Sequence, residues 1–378
     1  MAEGDELDAA SLAGRLEVEL GPAPHPADLA GDWCALLDRS DASFFLSWPW
    51  ISCWLERHAG TAHLARVVAR GTTLGLALLV ERAGPLVTRS WHLHATGDAA
   101  ADRIAIEHND VLAARGFETA VRIALLRRLL GRRSRGPRAI VLPMVGEPWE
   151  LAARAVGLPA RRRAESRCAV VDLEAARLRP GGFLAGLGAS TRAQIRRAAK
   201  LYNERGGLEL EAAADCAQAL SWLETLGELH EARFASKGER GAFGVAGFLD
   251  FHRALATAAW PNGGIELLRV SAGGAPIGYL YNFLWRGWVG FYTSGLVYED
   301  DNRLKPGLVA HWLAIERHVA AGARVYDLLA GESRYKSSLA APGPLLLDLV
   351  VERNDGLAWI GRTIRRLRDR LRPGAGRA

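Results

Sequence analysis

Lysine is scarce in this 378-residue chain: of 48 basic residues only Lys200, Lys237, Lys305 and Lys336 are not arginine. Such a bias reads as codon drift in a GC-rich genome, so the surviving lysines are enriched for places that want a compact, titratable ammonium rather than a planar fork. Cysteine is little used too. Cys34, Cys53, Cys168 and Cys216 show no paired spacing, which indicates neither a disulfide framework nor a zinc ligand set; we expect no metal. No stretch reaches the roughly 18 apolar residues of a membrane span. The N-terminal MAEGDELDAASLAGRLEVELG is acidic and lacks a positive head followed by an apolar run, so a cytoplasmic protein is expected. No GxSxG is present and no glycine fingerprint stands in a strand–turn–helix setting, which argues against a nucleophilic hydrolase and a dinucleotide enzyme.

What is there is ordinary in bulk, with 49% apolar residues, 24% charged and a net charge of +6. The length favours two domains. We expect a flexible leader over residues 1–30, a first domain over 31–175, a second over 176–355 and a basic amphipathic tail over 356–378. The tail sets Trp359, Ile360, Ile364, Leu367 and Leu371 opposite arginines. A helix of this kind packs on its own domain or lies on an anionic membrane surface.

Along the chain, residues 31–57 read as two short helices around Phe44, Phe45, Trp48, Trp50 and Trp54, a core cluster by composition. A three-strand meander follows near Leu64, Leu74 and Leu86, with His92 and His94 on one strand face, then the polar run at His108, which could border a groove, a helix from Phe117, and strands near Ala139 and Ala169. Ser190 to Arg205 is a basic helix with Ser190 or Thr191 placed to cap it and Arg192, Arg196, Arg197 and Lys200 on one side. The same order of elements recurs near Ile265, Pro276, Trp288, Gly307, Val325 and Leu345, roughly 175 to 200 positions on, too large a unit for a solenoid. This is the pattern of a duplicated α/β domain. Only the second copy has Lys305-Pro306-Gly307 at its helix start and a polar GESRYK loop after its strand, so chemistry belongs there. Proline at the first helical turn, free amides and the positive end of the dipole favour a phosphate at Lys305–Gly307.

These elements resemble GNAT acyltransferases, and the tandem arrangement resembles the two-domain Fem-type aminoacyl ligases and CelD-like bacterial acetyltransferases. The resemblance rests on FYTSGLVYEDDNRLKPG, on the helix ending AAGARVYDLLAGESRYK, on STRAQIRRAAK and on LHEARFASKGERGAF. It implies an α/β (α+β) fold of two tandem GNAT-like domains, each a mixed, mostly antiparallel sheet flanked by helices. It implies transfer of an acyl group, acetyl first, from acyl-CoA to an amine or hydroxyl of a metabolite or a polysaccharide, lipid-linked or other envelope precursor. The alternatives are aminoacyl transfer from charged tRNA, with Arg192 to Lys200 as an RNA contact, and a tandem domain that binds a ligand or partner without catalysis. Under this resemblance Asp327 is the candidate base or acceptor-orienting group, with Glu332 a weaker alternative. Tyr335 is the proton donor to the leaving group, Lys336 a cation for a phosphate or oxyanion, and Lys305, Pro306, Gly307, Ser294 and Gly295 form the cofactor contact.

Overall fold

The computed structural model describes residues 11–84, 89–104, 106–132, 134–331 and 333–354. Among these residues thirteen strands form one sheet: β1 (Glu17–Pro22), β2 (Ala62–Ala69), β3 (Thr72–Ala83), β4 (Arg89–Leu93), β5 (Leu112–Ala113), β6 (Ala139–Val145), β7 (Ala160–Asp172), β8 (Leu208–Ala212), β9 (Ile265–Ala272), β10 (Ala275–Trp285), β11 (Trp288–Leu296), β12 (Val325–Ala330) and β13 (Ala341–Glu352). The helices are α1 (Pro26–Leu37), α2 (Trp48–Arg57), α3 (Glu118–Leu130), α4 (Pro148–Ala155), α5 (Leu173–Leu178), α6 (Gly182–Ala185), α7 (Ala189–Asn203), α8 (Cys216–Ala235), α9 (Phe248–Ala259), α10 (Pro306–Ala320) and α11 (Arg334–Leu339).

Strand order across the sheet is β1-β2-β3-β4-β6-β13-β7-β12-β11-β10-β9-β8, with β5 paired to β3. The two halves of the chain therefore run inward from opposite edges, each as an antiparallel meander ending in one parallel pair, β4 with β6 and β11 with β12. At the centre they cross over. β7, the last strand of the first half, lies against β12, while β13, the last of the second, lies against β6. β7 and β13 then pair with each other from Ala341↔Val170 to Val351↔Ala160. Each half thus completes the other's sheet.

The inner strands β3, β9 and β10 are buried in near-continuous runs, as expected of strands covered on both faces. One apolar cluster joins Trp33, Phe45 and Trp50 of the first half to Leu226, Phe251 and Phe283 of the second, and the other packs α7 and α10 on Leu268, Leu280, Phe291 and Tyr326. The aromatic run at residues 44–54 is core: Phe44, Phe45 and Trp50 are buried and ring-packed, with Phe44 stacked on Phe283 at 4.4 Å. Asp215 caps α8 by accepting from Gln218 N at 2.8 Å, and Gln218 Oε1 accepts from Ala214 N in return. α10 opens on Pro306 and the chain leaves it at Gly322, whose φ of +81° suits a residue without Cβ.

Three expectations are corrected. Residues 17–22, assigned to a flexible leader, form β1, because Val18 and Leu20 alternate with Glu17 and Glu19 and pair along β2. The basic helix starts at Ala189 behind Gly188, with no side-chain cap from Ser190 or Thr191. The GESRYK segment is not all loop, since Arg334 to Leu339 turn into α11. Glu332 and the 356–378 tail lie outside the described residues. No helix among the described residues is long and apolar enough to cross a membrane.

Candidate functional site

Strands β11 and β12 are paired only over Trp288↔Val325, Val289↔Tyr326 and Gly290↔Asp327, and beyond that point they part. Asp327 stands at the split and is 1% exposed. Its Oδ1 accepts from Leu329 N at 2.8 Å, and its Oδ2 accepts from Trp288 Nε1 at 3.2 Å. Leu329 sits at φ +61°, a left-handed conformation that breaks the register of β12 against β7 between Asp327 and Ala330. Gly290 explains the indole's reach. A Cβ there would run into the Trp288 ring, so the missing side chain lets the indole lie across β11 toward the carboxylate.

The partner of Asp327 comes from the other half. His108 Nε2 lies 3.0 Å from Asp327 Oδ2, on a segment held at φ +46° with Ser43 Oγ donating to the His108 carbonyl at 3.0 Å. An imidazole donating from Nε2 leaves Nδ1 as its acceptor, and among the described residues Nδ1 meets no partner. Asn109 anchors this segment. Its Nδ2 donates to Leu93 O at 3.1 Å and Pro143 O at 3.0 Å, its Oδ1 is 2.9 Å from His94 Nδ1, and its amide donates to Met144 O. It thereby fills the gap where β4 and β6 separate, the counterpart of the β11/β12 split. In the first half the gap is plugged by the chain itself; in the second it carries Asp327.

Three more polar groups close around the pair. Cys168, buried on β7, places Sγ 3.7 Å from His108 Nε2. Burial, with the Asp327 and Glu107 carboxylates nearby, holds its thiol well above the ordinary range. Glu107 accepts from Ala330 N at 2.7 Å, and burial raises its carboxyl. Lys336 donates to Ala330 O at 2.7 Å and Leu329 O at 3.2 Å, and burial lowers its ammonium against the opposing pull of Glu107. Lys336 thus fastens α11 onto the end of β12, beside Asp327.

The remaining expected residues lie mostly on the other face. Tyr335 stacks on His311 of α10 at 5.5 Å, and burial pushes its phenol up to about 12. His311 in turn meets Tyr326 Oη at 3.2 Å and the Phe291 ring. Lys305, Pro306 and Gly307 form the start of α10 on this same face, with no side-chain cap on its first amides. Ser294 lies on β11 beyond the split, its carbonyl 3.4 Å from His230 Nδ1. Gly295 is spoken for by packing, because a Cβ would run into the α8 backbone at Leu226. Asp327 and Lys336 are brought together; Tyr335 and the Lys305 turn stand across the split from His108.

On the His108 side opens a cavity of about 870 Å³ between the two halves. Phe44, Trp285, Trp288, Leu345, His108 and Asp327 line it, with Arg286 and Arg324 at its margin. Arg286 is already engaged, donating to Ser40 O and to Leu37 O at 2.8 Å. The arrangement offers a chamber of mixed lining, in which aromatic and aliphatic side chains sit beside the Arg122–Asp110 ion pair and the His108–Asp327 pair, the usual form of a small-molecule site.

His108, Glu107, Cys168 and Trp288 were not among the expected site residues. The polar run at His108, flanked by apolar residues, was the one sequence signal for them. Nothing in the spacing of Cys168 or Glu107 announces a site, because the crossover of β7 brings the first to Asp327 and the Asn109 plug brings the second.

Residues 189–337 match the family model described as an acetyltransferase (GNAT) domain. No curated protein matches the sequence. Among solved structures, the C-terminal domain (DUF2156) assigned to a lysylphosphatidylglycerol synthetase of Agrobacterium fabrum superposes with a TM-score of 0.54 at 11% identity, covering 90% of this chain and 96% of that one. FemX does so at 0.54 and 10%, covering 90% and 99%. L-PGS from Bacillus licheniformis does so at 0.51 and 11%, covering 92% and 98%. At these identities the likeness is one of fold. Residues 189–337 thus resemble a GNAT acetyltransferase domain, and the two-half architecture around them is similar in fold to the FemX and lysylphosphatidylglycerol synthetase structures.

Proposed function

We propose that this protein transfers an acyl group from acyl-CoA to an amine or hydroxyl bound in the central cavity, with His108 as proton acceptor and Asp327 as the carboxylate that orients it. The observation that carries the reading is the His108–Asp327 pair at the point where β11 and β12 part. A donor held at Lys305–Gly307 lies on the α10 face of the sheet, and an acceptor in the cavity lies on the opposite face. The two meet only through the split. There the acceptor heteroatom attacks the thioester carbonyl as its proton passes to His108 Nδ1, and the CoA sulfur leaves toward the α10 face. Tyr335 returns a proton to that sulfur; a phenol is protonated at neutral pH, and desolvation reinforces that form. Holding two reactants in line supplies much of the rate, and general-base assistance adds about 10² to 10⁴. The acceptor is a small metabolite or the head of a lipid-linked or polysaccharide precursor small enough for the chamber.

A second donor is favoured by one observation. Arg196 and Lys200 of α7 line a groove of about 500 Å³ beside Trp312 of α10, with Glu204 4.0 Å from Lys200, a surface with an excess of cationic charge that could contact a polyanion such as aminoacyl-tRNA.

Calorimetric titration with CoA and acetyl-CoA separates the readings. Micromolar binding that weakens at least tenfold in Lys305→Ala supports the CoA donor. No heat at millimolar ligand, with salt-sensitive binding of charged tRNA, moves the assignment to the aminoacyl donor; neither would sink both.

A further inference from the structure

The His108–Asp327 pair has a third member that acyl transfer does not use. Cys168 Sγ, His108 Nε2 and an Asp327 carboxylate oxygen all lie within 4.8 Å of one another, and no other such trio is found among the described residues. The three come from different places: the loop before β5, strand β7 and strand β12. The recorded separations are 3.0 Å from nitrogen to oxygen and 3.7 Å from nitrogen to sulfur. Around a tetrahedral zinc ion, with bonds of about 2.0 Å to nitrogen and oxygen and about 2.3 Å to sulfur, those edges come to roughly 3.3–3.6 Å. Shifts of a few tenths of an ångström would seat the ion. The fourth position opens to the cavity, whose wall both His108 and Asp327 form.

Cys168 makes a poor nucleophile here. It is buried, it faces two carboxylates, and it shares His108 Nε2 with Asp327 instead of receiving a nitrogen of its own. A divalent cation reverses that disadvantage, because it turns surrounding negative charge into ligation. One thiol proton leaves on binding, and the ion then faces one thiolate, one carboxylate and one neutral imidazole, a set with no net charge. Lys336 is the local opposing charge, and it is tied to Leu329 O and Ala330 O with Glu107 beside it.

We propose that His108, Cys168 and Asp327 form a binding site for a thiophilic divalent cation of the zinc type, and that its occupancy switches acyl transfer off by taking both members of the proton-accepting pair. The inhibitory part rests on the reaction assigned above, whereas the binding part does not.

The test uses the full chain stripped with chelator. Cd²⁺ is titrated while the thiolate-to-metal charge-transfer absorbance is followed, and Zn²⁺ is then used to displace it. A single equivalent with micromolar or tighter affinity is expected, lost in Cys168→Ser and weakened at least tenfold in His108→Ala. Cys34→Ser serves as the control and should bind as the wild type does. Circular dichroism and melting of each variant show whether a lost signal reflects a lost fold. Should Cys168→Ser melt early, Asp327→Asn, which keeps the side chain's shape, replaces it. Absence of a saturable single-equivalent signal in wild type, or its survival in Cys168→Ser, overturns the site. In the acyl-transfer assay Zn²⁺ should inhibit stoichiometrically and chelator should restore the rate. Unchanged or raised turnover with metal bound overturns the switch and leaves the site standing.

Discussion

His108 Nε2 and Asp327 Oδ2 are 3.0 Å apart although 219 positions separate the two residues. If they act as one device, their losses must not add. His108→Ala should lower kcat about 100-fold or more and Asp327→Asn at least about tenfold, while the double variant should be no slower than His108→Ala alone. Steady-state kinetics on the four proteins checks this, and multiplicative losses would separate the two residues.

Trp288 tests the same carboxylate from another side. Trp288→Phe keeps an aromatic ring over Gly290 but deletes the 3.2 Å donor to Oδ2. A hydrogen bond to a charged group is worth about 1.5–3 kcal/mol, so kcat should fall by about 10- to 150-fold with little change in KM. A loss confined to KM would place the indole in acceptor binding instead.

Asn109→Leu removes an amide that satisfies Leu93 O, Pro143 O and His94 together. Each buried group left unpaired costs about 1–3 kcal/mol, so urea denaturation should show a loss of at least that size. Turnover should fall as well, since His108 is the next residue. Wild-type turnover in a destabilised protein would show that the plug does not position the imidazole.

His252 gives the protein a pH dependence away from the site. The ring is fully buried, neither nitrogen has a partner among the described residues, and burial drives its pKa from 6.5 down to about 3. Between those values the unfolded chain takes up a proton that the folded chain refuses. Stability therefore falls as pH drops below about 6.5, by about 1.4 kcal/mol per pH unit for a group of this kind. His94, lowered to about 4, and His311, lowered to about 3, act in the same direction. Thermal melts at pH 7 and pH 5 should show a smaller drop in His252→Phe than in wild type. Equal drops would mean that the ring is protonated in the folded state.

The periodicities that made strands and helices legible are local, and most elements stand where residue patterns place them. α9 covers Phe248 to Ala259 and α10 ends before Gly322 as expected. The proposed site could be read in the sequence only where it too was local: Asp327 at the end of an apolar strand, Lys336 in a short polar segment after it. His108 and Cys168 were not, since their roles depend on a crossover of strands and a plugged gap that no short-range pattern encodes. Gly290 and Gly295 show the same limit. As residues in a strand they look alike, yet one makes room for the Trp288 indole and the other for the α8 backbone.

The exchange of β7 and β13 makes the chain behave as a dimer that can never dissociate. A C-terminal half expressed alone would keep Asp327, Tyr335 and Lys336, but β12 would lose its neighbour β7 and become a raw sheet edge prone to pairing with other chains. It would also lack both His108 and Cys168. Under the proposed function, the smallest piece able to run the reaction is therefore the intertwined pair, with the first copy bound to it as the keeper of the imidazole.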